Sequence, residues 1–308
     1  MKLAIIILNY NNAKDTIACV NSILSFSDDQ IHIYIVDNNS SDSSFFLLTQ
    51  AFNEHVNRNL TIIQHGINGG YAAGNNYGIC YAREKFDYDY YWILNNDTVV
   101  PGKSFEELRK YALANQDMEL IGTVQVFYDR PDFIQSAGGR YHAWSGICRD
   151  VYKNKAVSSI SSRVEHADYP SGASLLIKKT FLEKVGMLNE TYFLYFEEID
   201  WINRARKVYP DKFWGICAKC IILHKEGGTD KNQGKGRSLL SEYYFHRNRI
   251  LITSHYYSQF FVTVVFFLCF SICKRLVLMQ MKSALNVYKA LKDGFYYVRK
   301  HRIPSARI

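Results

Sequence analysis

Acidic residues all but vanish from the C-terminal part of this sequence: from Phe245 onward eleven lysines and arginines stand against one acid, Asp293. That segment carries +10 and the preceding 244 residues sum to −2, within a formal net charge of +8. The division excludes an evenly basic surface suited to nucleic acid and points to an anionic membrane surface. A second CxxC pair is missing as well. Only Cys217 and Cys220 have that spacing, so no four-ligand zinc site is expected, and the odd count of seven cysteines reads as reduced and mostly structural. No uninterrupted apolar run reaches membrane-spanning length. The cleanest, Phe260 to Cys273, is about two-thirds of the ~20 residues required, and Arg275 to Lys292 is amphipathic, so helices lying in the interface are expected. The N-terminal apolar run stops at Asn9, too short for a signal peptide, which leaves a cytoplasmic body as the expectation. Internal repeats and low-complexity linkers are absent.

What is present is globular in composition, with 15% aromatic and 21% charged residues in 308, enough sequence for one large domain or two small ones. Apolar runs of strand length at Ala4 to Leu8, Ile31 to Val36, Leu60 to Gln64 and Tyr90 to Leu94 alternate with helical patterns. Runs that are apolar throughout imply a mainly parallel sheet covered on both faces. Each ends on a polar cluster: Asn9 to Asn12, Asp37 to Asp42, Asn68 to Gly70, and Asn95 to Asp97. Ligands bind at that edge of open α/β sheets, so the clusters are expected to converge on one crevice. Further on, Leu120 to Phe127 and Leu175 to Lys178 read as strands, and Gln135 to Lys155 as irregular.

Each cluster has a structural reading beside a chemical one. Asp37 can accept hydrogen bonds from a base or ribose, or cap a helix. The three glycines from Asn68 to Asn76 let a ligand approach backbone amides, or make a tight turn. They lack the lysine of a P-loop and the spacing of a dinucleotide fingerprint. Asp97 suits a hard divalent cation shared with substrate phosphates, or a turn before Pro101-Gly102. Glu197, Glu198 and Asp200 favour a helix N-terminus, and their crowding also raises carboxylate pKa values toward those of a general base. His224 stands beside glycines as a ligand or a structural histidine.

In order, the chain holds Ile-Val-Asp-Asn-Asn-Ser-Ser-Asp, Asn-Gly-Gly-Tyr-Ala-Ala-Gly-Asn-Asn, Leu-Asn-Asn-Asp, Ser-Gly-Ala-Ser-Leu-Leu-Ile, Phe-Glu-Glu-Ile-Asp-Trp-Ile-Asn-Arg-Ala and His-Lys-Glu-Gly-Gly-Thr. Together, over roughly residues 1 to 250, these resemble glycosyltransferase family 2, and most closely its rhamnosyltransferase-like branch of bacterial surface-polysaccharide synthesis. The resemblance implies a GT-A fold and an inverting sugar transfer from a nucleotide-diphosphate donor, assisted by Mg2+ or Mn2+. It implies donor contacts at Asn9, Tyr10, Asp37, Asn68, Gly69 and Asn75, with Asn39, Gly70, Asn95, Asn96 and Arg204 beside them. It also implies metal ligation by Asp97 and His224, and a base at Glu198 with Glu197 and Asp200 as neighbours. Asn95 departs from the family pattern, which has an acid there, so the metal grip is expected to be modest.

The expected division is a catalytic domain over 1–245, with a nucleotide-sugar half over about 1–115 and an acceptor half over about 116–245, followed by a basic, apolar helical tail over 246–308. A polyprenyl-diphosphate-linked saccharide is the expected acceptor, reached by an enzyme held peripherally at the inner face of the bacterial membrane. Packing of the tail on the body, or a homodimer, is the alternative. A nucleotide-sugar-binding or scaffold protein without turnover is the rival reading. A nucleotidyltransferase is disfavoured, because Asn9 to Asn12 holds no basic phosphate loop.

Overall fold

The computed structural model describes residues 1–26, 28–55, 58–161, 163–225 and 238–300. Its N-terminal half alternates β1 (Leu3–Asn9), α1 (Ala13–Leu24), β2 (Ile31–Asp37), α2 (Ser44–Ala51), β3 (Leu60–Gln64), α3 (Gly70–Lys85) and β4 (Tyr90–Asn95). Then come β5 (Thr98–Val99), α4 (Gly102–Ala114), β6 (Leu120–Phe127), β7 (Arg130–Ser136), β8 (Gly139–His142) and β9 (Ile147–Asp150). The remainder is β10 (Ser174–Lys178), α5 (Lys179–Val185), α6 (Glu197–Ala205), β11 (Trp214–His224), α7 (Leu239–Tyr256), α8 (Phe261–Val277) and α9 (Met281–Lys300).

The main sheet has the order β3-β2-β1-β4-β10-β6-β11-β5, with β7 paired to β6. Strands β3, β2, β1, β4, β6 and β11 run one way, and β10, β5 and β7 the other, so the expected mixed, mainly parallel sheet is present. The central strands are apolar throughout because both faces are covered. Leu3, Ile5, Ile7, Trp92 and Leu94 enter one core with α1 and α4, while Ala4, Ile6, Tyr91 and Ile93 enter another with α3, α5 and α6. Each buried side chain of this kind contributes about 1.5–3 kcal/mol. Registry then aligns the polar ends: Asn9 lies opposite Asp37, Asp37 opposite Gln64, and Leu8 opposite Asn95.

Three regions differ from expectation. Gln135 to Lys155 is not irregular, since it holds the end of β7 and the β8–β9 hairpin. That hairpin is secured by distant groups: Arg249 donates to the Ser145 carbonyl, and Thr263 Oγ1 donates to that of Trp144 at 2.8 Å. Strand β11 has no counterpart in the sequence reading, and its register shifts between Cys217 and Ile221, where the CxxC pair lies as two buried free thiols. Helix α7 runs without a break across the boundary placed between residues 245 and 246.

Helices α7, α8 and α9 pack around Ile250, Val264, Leu268 and Val287. The apolar stretch is longer than its cleanest run suggested. Ser258–Val277, 20 residues containing an 18-residue window of mean hydropathy 2.1, is long and apolar enough by length and composition to cross a bilayer. Arg275 nevertheless ties α8 to α7 through Glu242 at 2.7 Å and to α9 through Ser283 at 2.8 Å.

Candidate active site

The residues expected on the donor side form a network at the C-terminal ends of β1, β2 and β3. Asp37 is fully buried and accepts from Asn9 Nδ2 (2.8 Å), the Ser40 N–H (3.0 Å) and Ser40 Oγ (2.6 Å). Asn9 in turn accepts from Thr16 Oγ1 at 2.7 Å. Tyr10 is half-buried beside it, and Asn39 is exposed on the next turn in the left-handed region (φ 58°). Asn68 Oδ1 accepts from the Gly70 N–H and from Asn38 Nδ2, joining the glycine turn to the Asp37 loop. Asn75 donates to the Tyr71 carbonyl, and its Oδ1 is buried without a partner.

The glycines of this turn serve close packing. Gly70 has φ 81°, and a Cβ there would meet the Phe193 carbonyl oxygen at 2.2 Å; at Gly74 it would meet Leu8 Cδ1 at 2.3 Å. Since the Tyr71 N–H also donates to the Phe193 carbonyl at 2.7 Å, the donor-side turn is clamped to the loop that leads into α6.

At the next strand end, Asn96 donates to Thr16 Oγ1 at 2.9 Å, while Asn95 Oδ1 and Nδ2 sit half-buried at the edge. Strand β11 delivers His224 opposite Thr98, with His224 Nε2 3.1 Å from Asp97 Oδ1. The other ring nitrogen, Nδ1, lies 2.6 Å from Gln135 Oε1. A proton on Nδ1 serves that bond, and Nε2 then meets the carboxylate either through a proton of its own or through a cation bound to both groups. One carboxylate and one imidazole, with the rest of the shell left to phosphate oxygens, suit Mg2+ or Mn2+. Among the described residues no third His, Cys, Asp or Glu joins them. Lys225 follows, paired with Asp15 at 3.0 Å. Residues 226–229, the remainder of the sixth motif, lie outside the described residues.

The three acids of α6 separate by environment. Glu197 is 1% exposed, and its Oε1 has no partner among the described residues. Burial, then the neighbouring Glu198 charge, pushes its carboxyl well above the usual range. Asp200 is occupied by Arg204 Nε (2.8 Å) and the hydroxyls of Tyr256 (2.8 Å) and Tyr192 (3.4 Å). Arg204 also donates to the Val185 and Met187 carbonyls, so it braces α6 against the preceding segment and is not placed as the donor contact the resemblance implied. Glu198 alone is only half-buried. Desolvation raises its pKa, and its own N–H and that of Gly172 partly offset the shift.

Gly172 connects the acids to the strand end that carries Asn95. Its carbonyl accepts from the Tyr71 hydroxyl at 2.7 Å, and the next carbonyl, of Ala173, accepts from the Asn95 N–H at 2.9 Å. A Cβ at Gly172 would stand 2.0 Å from Glu198 Oε1. Sequence reasoning missed Asn38, Gln135, Gly172, Arg247 and Asn248 as individual residues. Asn38 and Gly172 lie within motifs that carry the resemblance, and Arg247 and Asn248 within the polar run His246 to Arg249; Gln135 carried no signal.

This doubly covered sheet, with acids and amides gathered at the edge where open α/β sheets bind ligands, places the chain among α/β proteins with a polar strand-end site. The model of the family described as Glycosyl transferase family 2 matches residues 4–184, and the chain belongs to that family. It is therefore a glycosyltransferase, and its fold is of the GT-A type. It is 24% identical over 257 residues, 83% of this chain and 77% of the relative, to the low-salt glycan biosynthesis hexosyltransferase Agl10 of Haloferax volcanii. Among solved structures it resembles GalNAc-T7 with UDP, GalNAc and Mn2+ (TM-score 0.64, 11% identity), covering 84% of this chain but only about half, 49%, of that one. It also resembles the mannosyltransferase PcManGT of Pyrobaculum calidifontis in complex with GDP-Man and Mn2+ (TM-score 0.53, 12% identity; 99% and 88% covered).

The contact at Gly172 yields a test. Gly172→Ala is expected to displace the Glu198 carboxylate while the flexible side chain absorbs the strain. Transfer should fall at least tenfold or so, the cost of misplacing a reacting group, with little change in Tm. Unaltered turnover would mean that Gly172 does not set the position of Glu198.

Proposed function

We propose that this enzyme transfers a sugar, a hexose or rhamnose, from a nucleotide-diphosphate donor to a hydroxyl of a lipid-linked or growing surface saccharide, with inversion. The observation that carries the reading is Glu198: alone of the three acids it is not fully buried, and its contact at Gly172 is one residue along the backbone from the carbonyl that accepts from the Asn95 N–H. Glu198 takes the proton from the acceptor hydroxyl as that oxygen forms its bond to the anomeric carbon. The bond from that carbon to the diphosphate breaks on the opposite face, and its electron pair leaves with the diphosphate. Asn9, Asp37 and Ser40 hold the base-side loop, and the α3 turn holds the sugar side. Mg2+ or Mn2+ would be held by Asp97 and His224, and it supplies neutralisation of charge on the departing diphosphate. The UDP, GDP-Man and Mn2+ found with the structural relatives support this choice of donor class and ion.

A panel of nucleotide sugars tested by thermal shift with Mn2+ is the direct measurement. The true donor at a hundred times its Kd adds about 2.7 kcal/mol, a shift of several degrees, and excess EDTA is expected to abolish both this shift and turnover. Full turnover in EDTA would remove the metal role of Asp97 and His224. Binding without transfer or donor hydrolysis would favour the scaffold reading.

The tail supports a location at the cytoplasmic face of the cell membrane. Val262, Phe266, Phe270 and Val277 line an exposed face of α8, Met281 and Leu285 extend it on α9, and exposed Lys274, Lys282, Lys289 and Lys292 accompany it. Apolar area bordered by lysines suits an anionic interface. Phe266→Glu with Phe270→Glu should abolish co-sedimentation with phosphatidylglycerol vesicles; undiminished binding would exclude this face as the anchor.

A further inference from the structure

A second concavity lies on the flank of α6 next to Glu198. It is a cavity of about 220 Å3 whose walls include Tyr141 of β8, Asp168 and Tyr169, Asn203 of α6, Arg206 directly after α6, and Tyr257 directly after α7. Its polar groups are held in place by protein. Asp168 Oδ2 accepts from the Tyr141 N–H at 2.8 Å, Arg206 Nη2 donates to the Asp168 carbonyl at 3.3 Å, and the Tyr257 hydroxyl donates to Asn203 Oδ1 at 3.2 Å. Asp168 Oδ1 and the other N–H groups of Arg206 remain for a ligand. The rings of Tyr141 and Tyr257, with centroids 5.0 Å apart and planes at 44°, form an apolar wall beside them.

Three properties restrict the occupant. The volume is below the roughly 300–1,000 Å3 of pockets for drug-sized ligands, so it suits one small ring and not a nucleotide. One arginine facing one aspartate gives no excess positive charge for phosphate. Aromatic faces beside a fixed carboxylate and guanidinium match a pyranose, whose C–H faces are apolar and whose adjacent hydroxyls both donate and accept.

The position in the chain assigns the ring a place. Tyr169 stands three residues before Gly172, the residue in contact with Glu198, and Ile199 of the cavity wall follows Glu198 directly. At the other end Tyr257 leads through Ser258–Phe260 into α8, and the hairpin that carries Tyr141 sets Trp144 against Phe267 of α8, with ring centroids 5.2 Å apart. The cavity therefore lies between the base and the apolar helix.

We propose that this cavity is a subsite for a neutral pyranose ring of the acceptor, the ring adjoining the one that is glycosylated, on the side toward the apolar helix; the assignment rests on the transferase reading above. Neutral methyl pyranosides (methyl rhamnoside, mannoside, galactoside and N-acetylglucosaminide) tested against the full chain by saturation-transfer NMR provide the check. At least one is expected to bind in the millimolar range. Arg206→Ala should weaken that binding about tenfold or more, as expected for loss of a charge-assisted hydrogen bond. Tyr257→Phe, which keeps the ring, should weaken it less. Hydrolysis of the donor by water, which needs no acceptor, should be unchanged in Arg206→Ala. Absence of binding by every pyranoside, or binding indifferent to Arg206, overturns the subsite. Donor hydrolysis that proceeds alongside such a result leaves the transferase reading intact. Arg206-dependent pyranoside binding in a chain that binds no nucleotide sugar would uphold the subsite and remove the donor assignment.

Discussion

Glu198→Gln is expected to reduce transfer by roughly a thousandfold, within the 10²–10⁴ that a positioned base contributes, while the donor-induced thermal shift stays near that of the wild type. The amide fills the same space against Gly172 but cannot take a proton. The pH profile supplies a second readout. A base works only when deprotonated, and desolvation holds the Glu198 carboxyl above the ordinary carboxylate range. Activity should therefore rise with pH through that elevated value, and its acid limb should lie above the one a solvent-exposed glutamate would give. Near-wild-type turnover in Glu198→Gln would transfer the role to another group. Glu197 would then have to move, because it is sealed from the cleft in this conformation.

The second large effect is expected far from the chemistry. Asn248 Nδ2 donates to the carbonyls of Tyr192 (2.9 Å), Leu194 (2.8 Å) and Tyr195 (3.0 Å), and Arg247 adds bonds to those of Thr191 and Tyr192. These bonds hold a loop in which Phe193, Tyr195 and Phe196 all have positive φ (64°, 70° and 75°). Each such residue costs on the order of 1–3 kcal/mol and persists only where its surroundings enforce it. Asn248→Ala removes the side-chain donor that three carbonyls share, while Arg247 still reaches that of Tyr192, so a loss of about 3 kcal/mol is expected by chemical denaturation. Transfer should also fall at temperatures where the variant is still folded, because the loop leads directly into Glu197 and Glu198. A stability change within about 0.5 kcal/mol, the range of ordinary surface substitutions, would show that the loop is held by other contacts.

The central strands and their polar ends could be read from sequence because their cause is local. Apolar runs covered on both faces, each closed by Asn or Asp, need no distant partner to be recognised. The β8–β9 hairpin could not be read that way. Its support comes from Arg249 and Thr263, more than a hundred residues away, and its glycines and aromatics give the same local signal as a loop. Arg204 illustrates a different limit. An arginine four residues after an acid on a helix looks the same whether it faces the cleft or the core, and here it joins Asp200 to the Val185 and Met187 carbonyls. The boundary placed between residues 245 and 246 falls within α7 for a related reason. The polar run His246 to Arg249 looked like the edge of a basic segment, whereas all four residues are buried in the body.

Strand β10 also governs the sequence of events in synthesis. Inserted in reverse between β4 and β6, it brings Ser174 to Trp92, 82 residues earlier, and β11 then brings Lys225 to Asp15, 210 residues earlier. Domains fold from the N-terminus as they leave the ribosome, and contacts this distant must wait for their later partner. A nascent chain thus has β1 to β4, with their donor-side loops, well before it has Glu198 or His224. The strand ends of that half are nevertheless completed late, since the Tyr71 N–H needs the Phe193 carbonyl and the Asn95 N–H that of Ala173, so both sides of the site are finished together.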